Sequence, residues 1–188
     1  MRLAFSAAAV FSVALSLFGA AKASEALLDL DGSRSDPFAS SAKVRVFLFV
    51  RTDCPITNRY APELQRIATE FAGRGVDFWF VYADPAETPD GIRKQFADYH
   101  FLGKPLRDPG HQLVNRARAT VAPEAAVFDS AGRLAYHGRI DDLWVAPGKA
   151  RPAPLVHDLE AAVSAVLAGK PVARVETQAV GCSLADVQ

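Results

Sequence analysis

The chain has two cysteines, Cys54 and Cys182, and the first sits where sequence makes a thiol reactive. It lies inside Val44 to Leu64, VRVFLFVRTDCPITNRYAPEL. The run Val44, Val46, Phe47, Leu48, Phe49, Val50 has the β-branched and aromatic character of a central strand covered on both faces. Pro55 fits the first position of a helix, where its missing N–H costs nothing. Cys54 is therefore expected at a helix N-terminus, facing free N–H groups and the positive end of the dipole, which favours thiolate over thiol. The competing reading is an inert buried thiol, since free cysteine is among the most buried residue types. Cys182 stands far away in a tail, Val180-Gly181-Cys182-Ser183-Leu184, and an even pair in an oxidising compartment raises the prospect of a disulfide.

The elements that must position these thiols follow from composition and pattern. With 188 residues, 50% hydrophobic and 22% charged, the chain has a globular composition with room for one core. The formal net charge is zero and no basic tract occurs, so nucleic acid is not an expected partner. Residues 1–23 read as a signal peptide: Arg2 first, an apolar run from Leu3 to Phe18, and Ala21-Lys22-Ala23 as a small-x-small cleavage site. Cleavage there leaves the mature chain near −2 and without a stable membrane span; an uncleaved anchor is the alternative. The expected destination is export, to a periplasm or outside the cell. Residues 24–42 are a lead-in, 43–170 the domain, and 171–188 the tail that carries Cys182.

Within the domain the expected order is a strand over 43–50, one helix over 56–73 kinked by Pro62, and a strand over 76–82. A helix over 90–99 capped by Thr88 or Asp90, an irregular return over 101–109 and a helix over 112–119 come next. A hairpin of 125–129 and 133–138 and a final helix over 155–167 close the domain. This order gives two parallel crossovers and a hairpin: a three-layer α/β fold, a mixed central sheet with helices on both faces.

Strand, Cys54-Pro55-Ile56-Thr57 and helix; Pro62 eight residues after the cysteine; Ala122-Pro123 before a strand and the Gly132 turn: in that order these resemble the thioredoxin-like superfamily. The resemblance is nearest to the exported redoxin and alkyl hydroperoxide reductase group. It implies a cis Pro123 facing a nucleophilic Cys54, and protein or small-molecule disulfides and thiols as partners. Asp108-Pro109-Gly110 resembles the segment that precedes the next helix in exported members. Departures are as informative. Thr57 stands where thioredoxins carry the second cysteine, Asp53 replaces the preceding aromatic residue, and Leu48 replaces a buried acid. A carboxylate at Asp53 opposes thiolate formation unless Arg51 or Arg59 offsets it. The peroxidase signature fails at Phe47 and Arg51.

Three readings of Cys182 stay open: a resolving thiol that attacks a mixed disulfide on Cys54, a permanent disulfide with Cys54, or a thiol that packs or pairs elsewhere. Gly181 would give the tail freedom to turn. Thr57 reads as a first-turn polar residue whose hydroxyl can donate to the Cys54 sulfur. His100, His111, His137 and His157 lack metal-site spacing, and neither cofactor nor metal is expected. Asp141-Asp142 before Trp144 reads as a solvated loop. The leading function is thiol–disulfide exchange. A thiol peroxidase, or a non-catalytic module handling copper through two thiolates and one imidazole, are the alternatives.

Overall fold

The computed structural model describes residues 26–184; the expected signal peptide lies outside them. Its strands are β1 (Val44–Val50), β2 (Val76–Tyr82), β3 (Lys104–Arg107), β4 (Val121–Ala122), β5 (Glu124–Asp129), β6 (Leu134–Gly138), β7 (Trp144–Ala146), β8 (Lys149–Ala150) and β9 (Cys182–Ser183). The helices are α1 (Pro55–Arg59), α2 (Ala61–Glu70), α3 (Pro89–Tyr99), α4 (Gln112–Ala117) and α5 (Asp158–Leu167). Among the described residues no helix is long and apolar enough to cross a membrane.

β1 is buried from end to end and organises the core. Successive side chains on a strand point to opposite faces. Val44, Val46, Leu48 and Val50 therefore join one apolar cluster with Leu64 and Ile67 of α2, Ile92 of α3 and Leu159 of α5. Phe47 and Phe49 join the other, with Leu113, Val114 and Ala117 of α4. The five-stranded sheet runs β3-β2-β1-β5-β6. β1, β2 and β3 are parallel, while β5 and β6 are antiparallel additions. The fold class is thus the mixed α/β sheet with helices on both faces that the pattern implied.

Three local expectations need correction. The first helix is two, broken at Tyr60 rather than kinked at Pro62, because Pro62 falls in the first turn of α2 and cannot continue the ladder of α1. The return over 101–109 contains β3, a parallel edge strand on β2. The lead-in covers that edge, with mutual backbone hydrogen bonds between Leu28 and Arg107 (2.9 and 2.8 Å). Asp141 and Asp142 are buried, not solvated. Asp141 accepts from Tyr60 Oη (2.6 Å) and Leu143 N; Asp142 accepts from the amides of Leu155 and Val156. Burial holds the Asp141 carboxyl above the ordinary aspartate range.

The lead-in is fixed to the sheet by one buried side chain. Arg45, on the Phe47 side of β1, donates to the carbonyls of Pro37, Phe38, Ser40 and Asp129. Truncating it leaves those acceptors behind an apolar wall. Arg45→Met is expected to lower stability by about 2–3 kcal/mol, read as a lower urea midpoint at unchanged slope. A loss below about 0.5 kcal/mol would show that the lead-in is held by other contacts.

Candidate active site

Cys54 is the N-cap residue of α1, with extended backbone (φ −84°, ψ 113°) and Pro55 in the first turn. Two side chains from elsewhere, Glu87 and Gln95, hold the turn that carries it. Thr52 N donates to Glu87 Oε1 (2.6 Å). Gln95 Nε2 donates to Arg51 O (3.1 Å) and to Asn58 Oδ1 (2.7 Å), and Gln95 in turn accepts from Tyr82 Oη (2.7 Å). Burial raises the Glu87 carboxyl, opposed by the hydrogen bond from Thr52.

The tail reaches this turn in two stages. Along β6, His137 N donates to Val175 O (3.0 Å) and Thr177 N donates to His137 O (3.1 Å). Gly138 is glycine because a Cβ there would fall 2.2 Å from Thr177 O. Farther on, β9 pairs antiparallel with β4, placing Cys182 opposite Ala122 and Ser183 opposite Val121. Leu184 N donates to Thr120 O (3.2 Å), and the Leu184 side chain is 3% exposed in the Phe47/Phe49 cluster. Arg51 Nη1 donates to Ser183 O (2.9 Å).

Cys54 and Cys182 meet as a disulfide with Cα atoms 6.1 Å apart, 128 positions apart in sequence. Of the readings open for Cys182, packing or pairing elsewhere is excluded in this state. The Cys54 sulfur lies 3.1 Å from Ala122 O. The next peptide bond, Ala122–Pro123, is cis, as the resemblance implied. Cys54 is fully buried, and Cys182, bonded to it from the tail, is partly exposed.

Gly181 is not in the left-handed region, so freedom to turn does not explain it. Its backbone lies against the cis peptide: a Cβ there would fall 2.2 Å from Ala122 O, 2.6 Å from Ala122 C and 3.1 Å from Pro123 N. All three are backbone atoms that cannot step aside.

The charge beside the thiol is paired. Arg51 grips Asp53 with both ends of its fork (2.9 and 2.9 Å), and this hydrogen bonding lowers the Asp53 carboxyl below its usual range. The offset comes from Arg51, whereas Arg59 stacks on Trp144, 5.5 Å from the ring centroid. Thr57 is fully buried, and its hydroxyl has no hydrogen-bond partner among the described residues, the Cys54 sulfur included. Asp108 caps α4, accepting from Gln112, Leu113 and Val114 amides at 2.8–2.9 Å. Sequence reasoning passed over Glu124, which is buried directly after Pro123 and accepts from Thr120 and Val121 amides. Its charge in an otherwise apolar strand was the available signal. Among the described residues one His/Asp/Glu trio has metal-ligand spacing, Glu63, Asp141 and His157, and it includes neither cysteine.

The fold is thioredoxin-like. A hypothetical protein from Sinorhizobium meliloti 1021 has a similar structure at 26% identity and TM-score 0.72, over 84% of this chain and 88% of that one. An uncharacterized conserved protein from Geobacillus kaustophilus matches at 23% identity and TM-score 0.72, over 85% and 86%. A thiol:disulfide interchange protein of the thioredoxin family from Chlorobium tepidum TLS matches at 15% and TM-score 0.55, over 74% and 90%. No protein-family model matches the chain, and no curated protein does.

Proposed function

We propose that the chain is an exported thiol–disulfide oxidoreductase of the redoxin kind, with Cys54 as nucleophile and Cys182 as resolving thiol. The observation that carries this reading is the bonded pair beside the cis Ala122–Pro123 peptide. Thr57 occupies the place of a local second thiol, and the tail brings one from 128 positions away. The signal-peptide pattern read in residues 1–23 is the support for export.

The chemistry runs through two exchanges. The Cys54 thiolate attacks one sulfur of a substrate disulfide, forms a Cys54–substrate bond and expels the other half as thiolate. Cys182 thiolate then attacks the Cys54 sulfur, forms the Cys54–Cys182 bond and releases the second half. Two electrons pass from the pair to the substrate, and a protein dithiol running the same steps in reverse restores the pair. Pro123 shapes the wall against which the substrate half lies. In the reduced protein the amides at the start of α1 and the orphan Thr57 hydroxyl are donors for the Cys54 thiolate, with Asp53 neutralised by Arg51.

Alkylation of the reduced protein across pH tests this together with disulfide-exchange activity. Cys54 is expected to react with a pKa below the free-thiol value of about 8.5. Thr57→Val, which removes a donor and keeps the shape, should raise that pKa. An unshifted thiol with no exchange activity would sink the enzymatic reading.

A further inference from the structure

The tail shows what the site accepts. Residues 181–184 lie along β4 as an added strand, and three of its four side-chain positions are specified by what they meet. Position 181 abuts Ala122 C=O and Pro123 N with no room for a Cβ. Position 182 is the cysteine joined to Cys54. Position 183 offers its carbonyl to Arg51 and leaves its side chain exposed. Position 184 buries a leucine among the residues around Phe47 and Phe49 and donates its N–H to Thr120 O.

We propose that the β4 edge is a docking site for an extended polypeptide carrying the pattern Gly-Cys-x-Leu, and that the chain's own tail occupies it when oxidised. The substrate class is therefore a protein disulfide whose cysteine follows a glycine and precedes, by two, an apolar residue. This deepens and rests on the oxidoreductase reading above. After reduction residues 181–184 are held on this edge by the β9–β4 pairing, the hydrogen bonds of residues 183 and 184 and the Leu184 contact, so a substrate strand that makes the same contacts displaces them while residues 175 and 177 stay on β6.

The selectivity has a physical scale. At position 181 a methyl group meets backbone atoms on a rigid cis turn, the overpacking case with least relief. At position 184 a leucine is withdrawn from water almost completely. Each effect corresponds to about tenfold or more in rate when it is felt in the docked complex.

The test uses the full-length Cys182→Ser protein, whose Cys54 cannot close on the tail. Probes are eight-residue peptides whose cysteine carries a thionitrobenzoate disulfide. Cys54 thiolate attacks the peptide sulfur, the Cys54–peptide bond forms, and thionitrobenzoate leaves as a coloured thiolate. Rates are normalised to each peptide's rate with a small free thiol. The Gly-Cys-Ser-Leu peptide is expected to react about tenfold or more faster than Ala-Cys-Ser-Leu and than Gly-Cys-Ser-Ser. Adding Gly181→Ala, which unseats the competing tail, should accelerate the Gly-Cys-Ser-Leu peptide further.

Equal normalised rates for the three peptides, or a glutathione–thionitrobenzoate disulfide that reacts as fast as the best peptide, overturn the docking proposal while leaving Cys54 an active thiol. No release from any probe defeats the oxidoreductase reading itself. Reoxidation of wild-type protein mainly to a Cys54–Cys182 linked dimer would make a second copy the occupant and also overturn the proposal.

Discussion

Replacing Cys182 with serine is expected to halt turnover at a mixed disulfide on Cys54. The first exchange needs only Cys54, so the variant still attacks a substrate disulfide and expels one half. The second exchange needs a thiol at the same place, and Thr57 supplies a hydroxyl there. In the native chain the tail stays tied to β6 through residues 175 and 177, so Cys182 remains beside the site, and β9 pairs again with β4 as Cys182 attacks and the substrate half leaves. A thiol positioned this way acts at an effective concentration far above that of a dissolved thiol. Turnover with a millimolar external thiol should therefore fall by at least about a hundredfold, while intact-mass measurement shows one substrate half bound per chain. Cys54→Ser should show neither turnover nor adduct. Full activity in Cys182→Ser, without an adduct, would remove Cys182 from the cycle and leave the tail disulfide a structural tie.

The pairing of the two cysteines is the part of this site that residues alone left open, and the reason is physical. The features around Cys54 are local: an apolar strand, a cysteine at its end and a proline at a helix start. β1 and β2 were legible because strands covered on both faces are apolar at nearly every position. Thr88 before Pro89 marked the start of α3, and its side chain does accept from Gly91 N (3.1 Å). β3 was not legible, because Lys-Pro-Leu-Arg at a sheet edge buries only Leu106 and carries a proline that a central strand would refuse. Asp141 and Asp142 looked solvated because their partners, Tyr60, Leu155 and Val156, are remote in sequence. Gly181 is the clearest case. Its necessity comes from Ala122 and Pro123, residues that no window around position 181 contains.

Reduction of the Cys54–Cys182 bond is expected to remove about 5 kcal/mol of stability against unfolding, the chain-entropy value for a loop of this size. The bond spans 128 positions, most of the described chain, so opening it restores a large set of conformations to the unfolded ensemble. The native state loses little besides the bond: the hydrogen bonds at residues 175, 177 and 184 and the Leu184 contact do not depend on it. Paired urea titrations with and without an excess of a dithiol measure the difference. The slope should rise on reduction, since the uncrosslinked unfolded chain is more expanded and exposes more surface. By linkage, the stability the bond gives the fold is the stability the fold gives the bond. A difference of about 5 kcal/mol makes the native pair about 100 mV more reducing than the same two thiols in the unfolded chain. Such a pair gives electrons readily to a strained or exposed substrate disulfide and needs a strong dithiol donor to be restored. Coincident unfolding curves for oxidised and reduced protein would mean that the reduced unfolded chain is already as restricted as the crosslinked one. That result removes the fold's contribution to the potential and leaves the helix-start environment of Cys54 to set it alone.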